Sequence, residues 1–263
     1  MTILMCRPDF YGIEYEINPW MHVQNPVNHD LAQKQWQELF LAYRMLGQEV
    51  QLVEPRPGQP DMVFIANAGL VRGKKAVLSH FAFSERQGEE PFWWASLYDR
   101  GYEVKLLPSG VAFEGAGDAI FVGNKLFAGY GFRTDQKAHK LVGDALGVDV
   151  VSLELVDDRF YHLDTCFCPL DKNLVLFAPD AFAPESVKLI RKNVSRTVEV
   201  PMHVAEGFAC NGVALDGRVL AAEAIGELDT ELTKLGLKVL PLPMSEFMKG
   251  GGGVRCLSLL LDE

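Results

Sequence analysis

Three groups of polar residues are of types that could do chemistry. Cys256 ends the run Gly250-Gly251-Gly252-Gly253-Val254-Arg255-Cys256. Glycines let a backbone approach a ligand closely. Backbone N–H groups in such a loop can stabilise a thiolate or a developing negative charge. Read alone, the same cysteine also fits a small buried core residue. His162 lies in Phe160-Tyr161-His162-Leu163-Asp164-Thr165. In a strand, residues two apart share a face, so His162 and Asp164 would point the same way. A histidine beside a carboxylate is poised for general acid/base work. The carboxylate could instead hold a cationic substrate, and a surface His–Asp pair has the same spacing. Glu114 and Asp118 flank two glycines in Phe113-Glu114-Gly115-Ala116-Gly117-Asp118. Two acids there suit a planar cation with several donors, and a polar loop equally.

Other polar residues are candidates for substrate contacts. Asp61 follows Pro60 and opens a strand-like run that ends near Asn67, and Asn18 sits in Ile17-Asn18-Pro19-Trp20. Each also suits a turn or cap. Arg86 and Arg133 are candidate carboxylate clamps, or plain surface arginines. Cys166 and Cys168 form one close pair with no second pair, so no metal is expected. No phosphate-binding glycine loop and no serine-hydrolase elbow occurs.

The elements that must position these residues repeat. Helix-like stretches end near Gly47, Gly101, Gly147 and Gly236, and each is followed by a β-rich segment. The first three recur at roughly 50-residue intervals. The pattern predicts helices near 31–46, 89–100, 134–146, 184–193 and 226–235. Between them lie paired apolar runs joined by Gly, Asn or Asp turns, the signal of a hairpin. The strand-like start, MTILMCR, and end, VRCLSLLL, would complete the first unit together. Five such ββαβ units predict an α/β fold: a five-bladed β/α propeller with loops converging on a central channel. No linker breaks the pattern, so residues 1–263 read as a single domain.

Three motifs in this order, FEGAGDA, YHLDTCFCPL and GGGGVRC, together with the fivefold repeat, resemble the pentein superfamily of guanidino-group modifying enzymes. The resemblance spans almost the whole chain. It implies Cys256 as nucleophile at a guanidinium carbon, with His162 as acid and then base through a covalent amidino intermediate. It implies that Glu114 and Asp164 grip the guanidinium, that Asp118 supports their loop, and that Arg86 and Arg133 clamp the substrate α-carboxylate. No metal or organic cofactor is implied. INPWM, PDMVFIANAGLV, ERQGEEP, FEGAGDA and RFYHLDTCFCPL look most like the arginine dihydrolase group, which yields ornithine, ammonia and carbon dioxide. Asn18 and Asn67 match that group's distinctive pair; Asn67 stands where deiminases and dimethylarginine dimethylaminohydrolases carry an aspartate. The alternatives are dimethylarginine hydrolase, arginine deiminase, amidinotransferase, and a non-catalytic binding protein of the same fold. Larger members carry a further C-terminal region. This chain ends seven residues after Cys256, so any activity housed there is not expected of it.

Bulk properties agree with a small-molecule enzyme. A formal charge of −10 argues against nucleic acid, which needs a basic face. The start lacks a signal-peptide pattern, and no run approaches a membrane span. Five scattered cysteines fit a reducing cytoplasm. A homo-oligomer is left open.

Overall fold

The structure, a computed structural model, describes residues 1–261. The fold is mixed α/β, with five small three-stranded sheets among those residues. The first joins β1 (Thr2–Cys6) to β2 (Glu49–Val53) and β15 (Leu259–Leu260). The second holds β3 (Gly69–Arg72), β4 (Lys75–Leu78) and β5 (Glu103–Lys105); the third holds β6 (Ala119–Val122), β7 (Lys125–Tyr130) and β8 (Val150–Glu154). The fourth holds β9 (Phe167–Asp171), β10 (Leu174–Phe177) and β11 (Arg196–Glu199); the fifth holds β12 (Val213–Leu215), β13 (Arg218–Ala222) and β14 (Lys238–Leu242).

Every middle strand runs antiparallel to one neighbour and parallel to the other. A parallel partner can be reached only by a crossover. The crossovers are the helices His29–Met45, Glu90–Asp99, Gln136–Leu146 and Pro184–Asn193, and the short helix Asp229–Lys234. These fall where the sequence predicts them. The last is shorter than predicted because Glu223–Leu228, which contains Gly226, forms a 3₁₀ segment instead. Glycine is a poor helix former. Gly47, Gly101, Gly147 and Gly236 lie at φ +75°, +82°, +69° and +81°, the left-handed caps that close helices.

The helix His29–Met45 shows why these segments fold as they do. Asn28 caps it, its side chain accepting the Leu31 N–H at 3.1 Å. Ala32, Trp36, Leu39 and Tyr43 recur along one buried face. The chain ends meet as the strand-like termini predict: Ile3 pairs with Leu260 and Leu4 with Leu259. The core bridges neighbouring sheets. Leu4 and Leu259 pack in one cluster with Leu70 and Leu126; Phe127 packs with Phe167 and Val219; Val213 and Leu220 pack with Ile3 and Leu260. Among the described residues no helix is long and apolar enough to cross a membrane.

Two local expectations are corrected. His162 and Asp164 are not on a strand: Leu163–Thr165 is a single 3₁₀ turn, and β9 begins only at Phe167. Asp61 does not open a strand either, because Pro60–Val63 and Ile65–Ala68 are successive 3₁₀ turns ahead of β3. Such short apolar runs are ambiguous by periodicity alone.

Ile3 is fully buried in the one sheet that both chain ends build. Ile3→Ala is expected to cost about 2–5 kcal/mol. In urea unfolding the midpoint should fall with the slope unchanged.

Candidate active site

The predicted site residues lie mainly in the short turns that precede the hairpins. These turns pack closely because small residues allow it. A Cβ on Gly115 would meet Gly69 backbone atoms at 2.8 and 2.9 Å, and one on Gly117 would run into the Asn67 amide. Cys256, His162, Glu114 and Asp164 are each no more than 2% exposed.

Glu114 organises one half. Its Oε2 faces His162 Nε2 at 2.6 Å and accepts from Arg133 Nη1 at 3.2 Å; its Oε1 accepts the Ala82 N–H at 3.1 Å. Burial alone would raise this carboxyl, but the Arg133 charge and the His162 hydrogen bond outweigh it and hold the group well below the ordinary carboxylate range. Asp118 Oδ2 accepts the Thr134 hydroxyl at 2.6 Å, and its Oδ1 accepts the Leu163 N–H at 3.0 Å. Asp118 thereby ties the Glu114 turn to the His162 turn.

Cys256 organises the other half. Its thiol donates to Asp164 Oδ2 at 3.3 Å, and its sulfur accepts from Asn211 Nδ2 at 3.1 Å. Burial and then the Asp164 charge push the thiol well above its ordinary range, while the Asn211 amide pulls it down. The glycine run makes close approaches: Cβ atoms there would meet Tyr11, Phe64, Tyr161, Asn18 or Asn211. Tyr161 donates to the Gly251 carbonyl at 2.8 Å and Asn18 to the Gly250 carbonyl at 3.1 Å. Asn18 is only half-buried and also caps a turn through Trp20 and Met21.

Asn67 and Arg86 belong to a third set. Asn67 Nδ2 donates to the Glu114 carbonyl at 3.1 Å, and its Oδ1 accepts from Arg86 Nη1 at 2.9 Å. Arg86 grips both carboxylate oxygens of Glu89, at 2.7 and 3.0 Å, and donates to the Asp61 carbonyl at 3.2 Å. Trp93 Nε1 also donates to Glu89. Most of the Arg86 donors are thus spent inside the protein. Arg133 gives Nη2 to the Ile17 carbonyl at 2.7 Å and stacks against Phe83 and Tyr161.

A family profile described as N,N dimethylarginine dimethylhydrolase, eukaryotic, matches residues 16–260. The chain belongs to the dimethylarginine dimethylaminohydrolase family. It is 44% identical over 270 residues to the bifunctional arginine dihydrolase/ornithine cyclodeaminase AgrE of Nostoc sp., covering 100% of this chain and 38% of that protein. It is 40% identical over 257 residues to the N(G),N(G)-dimethylarginine dimethylaminohydrolase of Mycobacterium tuberculosis, covering 97% and 84%. The N-terminal domain of ArgZ, covalently bound to a reaction intermediate, superimposes with a TM-score of 0.96 at 42% identity, covering 100% of this chain and 98% of that one. ArgZ of Synechocystis sp. is likewise bifunctional, and the chain spans 38% of the length of each bifunctional relative.

In this dimethylarginine dimethylaminohydrolase family member, two buried carboxylate oxygens among the described residues lack a hydrogen-bond partner: Asp164 Oδ1 and Asp61 Oδ1. The second oxygen of Asp61 accepts from Tyr15 at 3.0 Å. Unpartnered buried acceptors are costly and mark a place for a donor-rich ligand. Sequence reasoning missed Asn211, Tyr15, Tyr161 and Glu89 as members of this network. Asn211 had a usable signal, since it precedes β12 by two residues as Asn67 precedes β3. Glu89 also had one, as it lies three residues after Arg86, and Tyr161 directly precedes His162, whereas Tyr15 reaches Asp61 across 46 residues that no local pattern encodes.

Burial pushes Asp61 and Asp118 up to about 6 and Asp164 up to about 7. A carboxyl raised above its unfolded value contributes stability that is full below the unfolded pKa and lost as pH rises through the folded one. Glu114 has the opposite sign, and its contribution is lost only in strong acid. The empty protein should therefore melt at a lower temperature at about pH 8 than at about pH 5.5. Asp164→Asn should flatten that slope, as read by calorimetry. A wild-type profile that rises over this window, or a slope untouched by the substitution, would contradict the assignment.

Proposed function

We propose that this chain is an arginine dihydrolase domain that converts arginine, with two waters, to ornithine, two ammonia and carbon dioxide. The observation that carries the reading is a buried thiol beside the Asp164 carboxylate, with Asp164 Oδ1 and Asp61 Oδ1 unpartnered. A guanidinium at Asp164 and an α-ammonium at Asp61 would supply the missing donors. The 44% identity to AgrE supports arginine as substrate, and the covalent intermediate on the ArgZ domain supports a nucleophilic course.

In this reading the cation creates its own nucleophile. The empty site favours the thiol; a positive charge beside it lowers the thiol pKa and favours thiolate. Cys256 sulfur attacks the guanidinium carbon, and His162 delivers a proton to the departing nitrogen, which leaves as ammonia. Glu114 orients His162 through the 2.6 Å contact between Oε2 and Nε2. Water, deprotonated by His162, attacks the S-linked carbon and expels the thiolate, leaving a ureido group. A second round releases the second ammonia and leaves a carbamate on the ornithine nitrogen, which loses carbon dioxide.

The second round requires a pocket that accepts a neutral ureido group. Asn67 is uncharged, and its amide is oriented by Arg86 on the oxygen and the Glu114 carbonyl on the nitrogen. We assign substrate contacts to Asn18, Asp61, Asn67, Arg86, Asp118, Arg133 and Asp164 as a set, directly or through the loops they hold. The five sheets are proposed to close into a propeller with this site at its centre, forming one catalytic domain over 1–263. Bonds between successive units support closure: Asn67 to Glu114, Asp118 to Leu163, Asp164 to Asn211, Asn211 to Cys256, and Cys256 to Ala66. Five free cysteines fit a cytoplasmic location.

Dimethylarginine hydrolysis is the second reading, favoured by the Mycobacterium tuberculosis relative. Incubation with arginine should give ornithine and about two ammonia per arginine, abolished in Cys256→Ser. Turnover of methylated arginine alone would establish the second reading.

Asn67→Asp should retain the first hydrolysis and lose at least about tenfold in citrulline turnover, because a charged group in place of the amide favours the cationic substrate over the neutral one. Unchanged citrulline turnover would remove Asn67 from the explanation.

A further inference from the structure

We infer that Asn211 holds the Cys256 sulfur in its reactive geometry and stabilises the thiolate by direct hydrogen bonding. The inference deepens the proposed cysteine chemistry and rests on it. Asn211 is fully buried, and both ends of its amide are engaged. Oδ1 accepts the Arg255 N–H at 3.1 Å and the Cys256 N–H at 3.3 Å. Nδ2 donates to the Asp164 carbonyl at 3.0 Å and to Cys256 Sγ at 3.1 Å.

The partners fix which way the amide points. Backbone N–H groups can only donate and the Asp164 carbonyl can only accept, so the oxygen must face Arg255 and Cys256. The nitrogen is left facing the sulfur. The group beside Sγ is therefore a donor, which favours S⁻ over S–H. Asp164 acts in the opposite sense, because its carboxylate takes the thiol proton as a hydrogen bond. Asn211 is bonded to the main chain of both residues, so one amide sets the distance between the nucleophile and its counter-group.

The surrounding turn is built around this side chain. Phe208, buried and at φ +60°, accepts the Asn211 N–H at 3.1 Å. A non-glycine residue there is costly unless its surroundings impose it. A Cβ on Gly253 would press to 3.0 Å from Asn211 Oδ1.

Asn211→Asp tests the role. It keeps an oxygen for the Arg255 and Cys256 N–H groups and replaces the donor facing sulfur with an acceptor. The first readout needs no arginine: alkylation of Cys256 by iodoacetamide across pH, followed by peptide mass spectrometry. The rate near neutrality should fall about 10- to 100-fold, with the pH midpoint moved up by about one to two units. In arginine turnover, kcat should fall by a similar factor with KM little changed. A folded Asn211→Asp protein with the wild-type midpoint would overturn the inference. Failure of wild-type protein to turn over arginine, with the midpoint still shifted, would instead sink the substrate assignment alone. Where the variant does not fold, wild-type protein gives the answer by NMR. The Asn211 side-chain N–H signals should titrate at the Cys256 alkylation midpoint and cease to titrate in Cys256→Ala; signals that stay flat would overturn the inference.

Discussion

The structure depends on negative charge held out of water. Asp61, Glu89, Glu114, Asp118 and Asp164 are all buried, and a buried carboxylate is costly unless paired or hydrogen-bonded. The protein neutralises some of them. Arg86 pairs with Glu89 and Arg133 with Glu114. Asp118 is satisfied by a hydroxyl and a backbone N–H. Asp61 and Asp164 each keep an oxygen without a partner, and both are pushed up by burial. On the proposed reading, this imbalance would give a cationic ligand its binding energy, and the Asp164 charge would disfavour thiolate until that ligand arrives.

The fold makes the imbalance sustainable. Most site residues ride on short turns next to the sheets, and neighbouring turns are bonded side chain to backbone. Glycines at 115, 117 and 250–253 let these turns approach closely enough to exclude water. The segment before the first helix is tied to four separate places: Tyr15 to Asp61, Ile17 to Arg133, Asn18 to Gly250 and Trp20 to Arg159. A dry site strengthens every charge interaction inside it. On the proposed reading, the same burial that raises Asp61 and Asp164 would sharpen the chemistry at Cys256 when a cation binds.

Much of this architecture is legible in the sequence. Helix positions follow from glycine caps and apolar spacing, and the meeting of the termini follows from two half-units that need each other. Glu114, His162 and Cys256 stand out only when their three motifs are read together and in order, since each alone fits a structural role equally well or better. The local geometry is less legible. A one-turn 3₁₀ segment and a strand share the same short apolar pattern, so the His162 and Asp61 turns read as strands. Asn211 escaped because a lone Asn before a hairpin looks like a turn residue, and its partners lie more than 40 residues away in sequence. Glu89 reads as one acid in a charged run, although its spacing of three residues from Arg86 is that of a local ion pair.

On the proposed reading, Asp61 and Asp164 take up a cation and change protonation when it binds. Calorimetric titration of arginine into Cys256→Ser, at about pH 6.5 in buffers of different ionisation enthalpy, measures this directly. Proton release on binding is the predicted result, because Asp164 is partly protonated in the empty site and must ionise to hold the guanidinium. The release should shrink in Cys256→Ser combined with Asp164→Asn, which leaves only the smaller Asp61 share. Arginine binding without proton exchange, or with a release undiminished by loss of Asp164, would contradict the account.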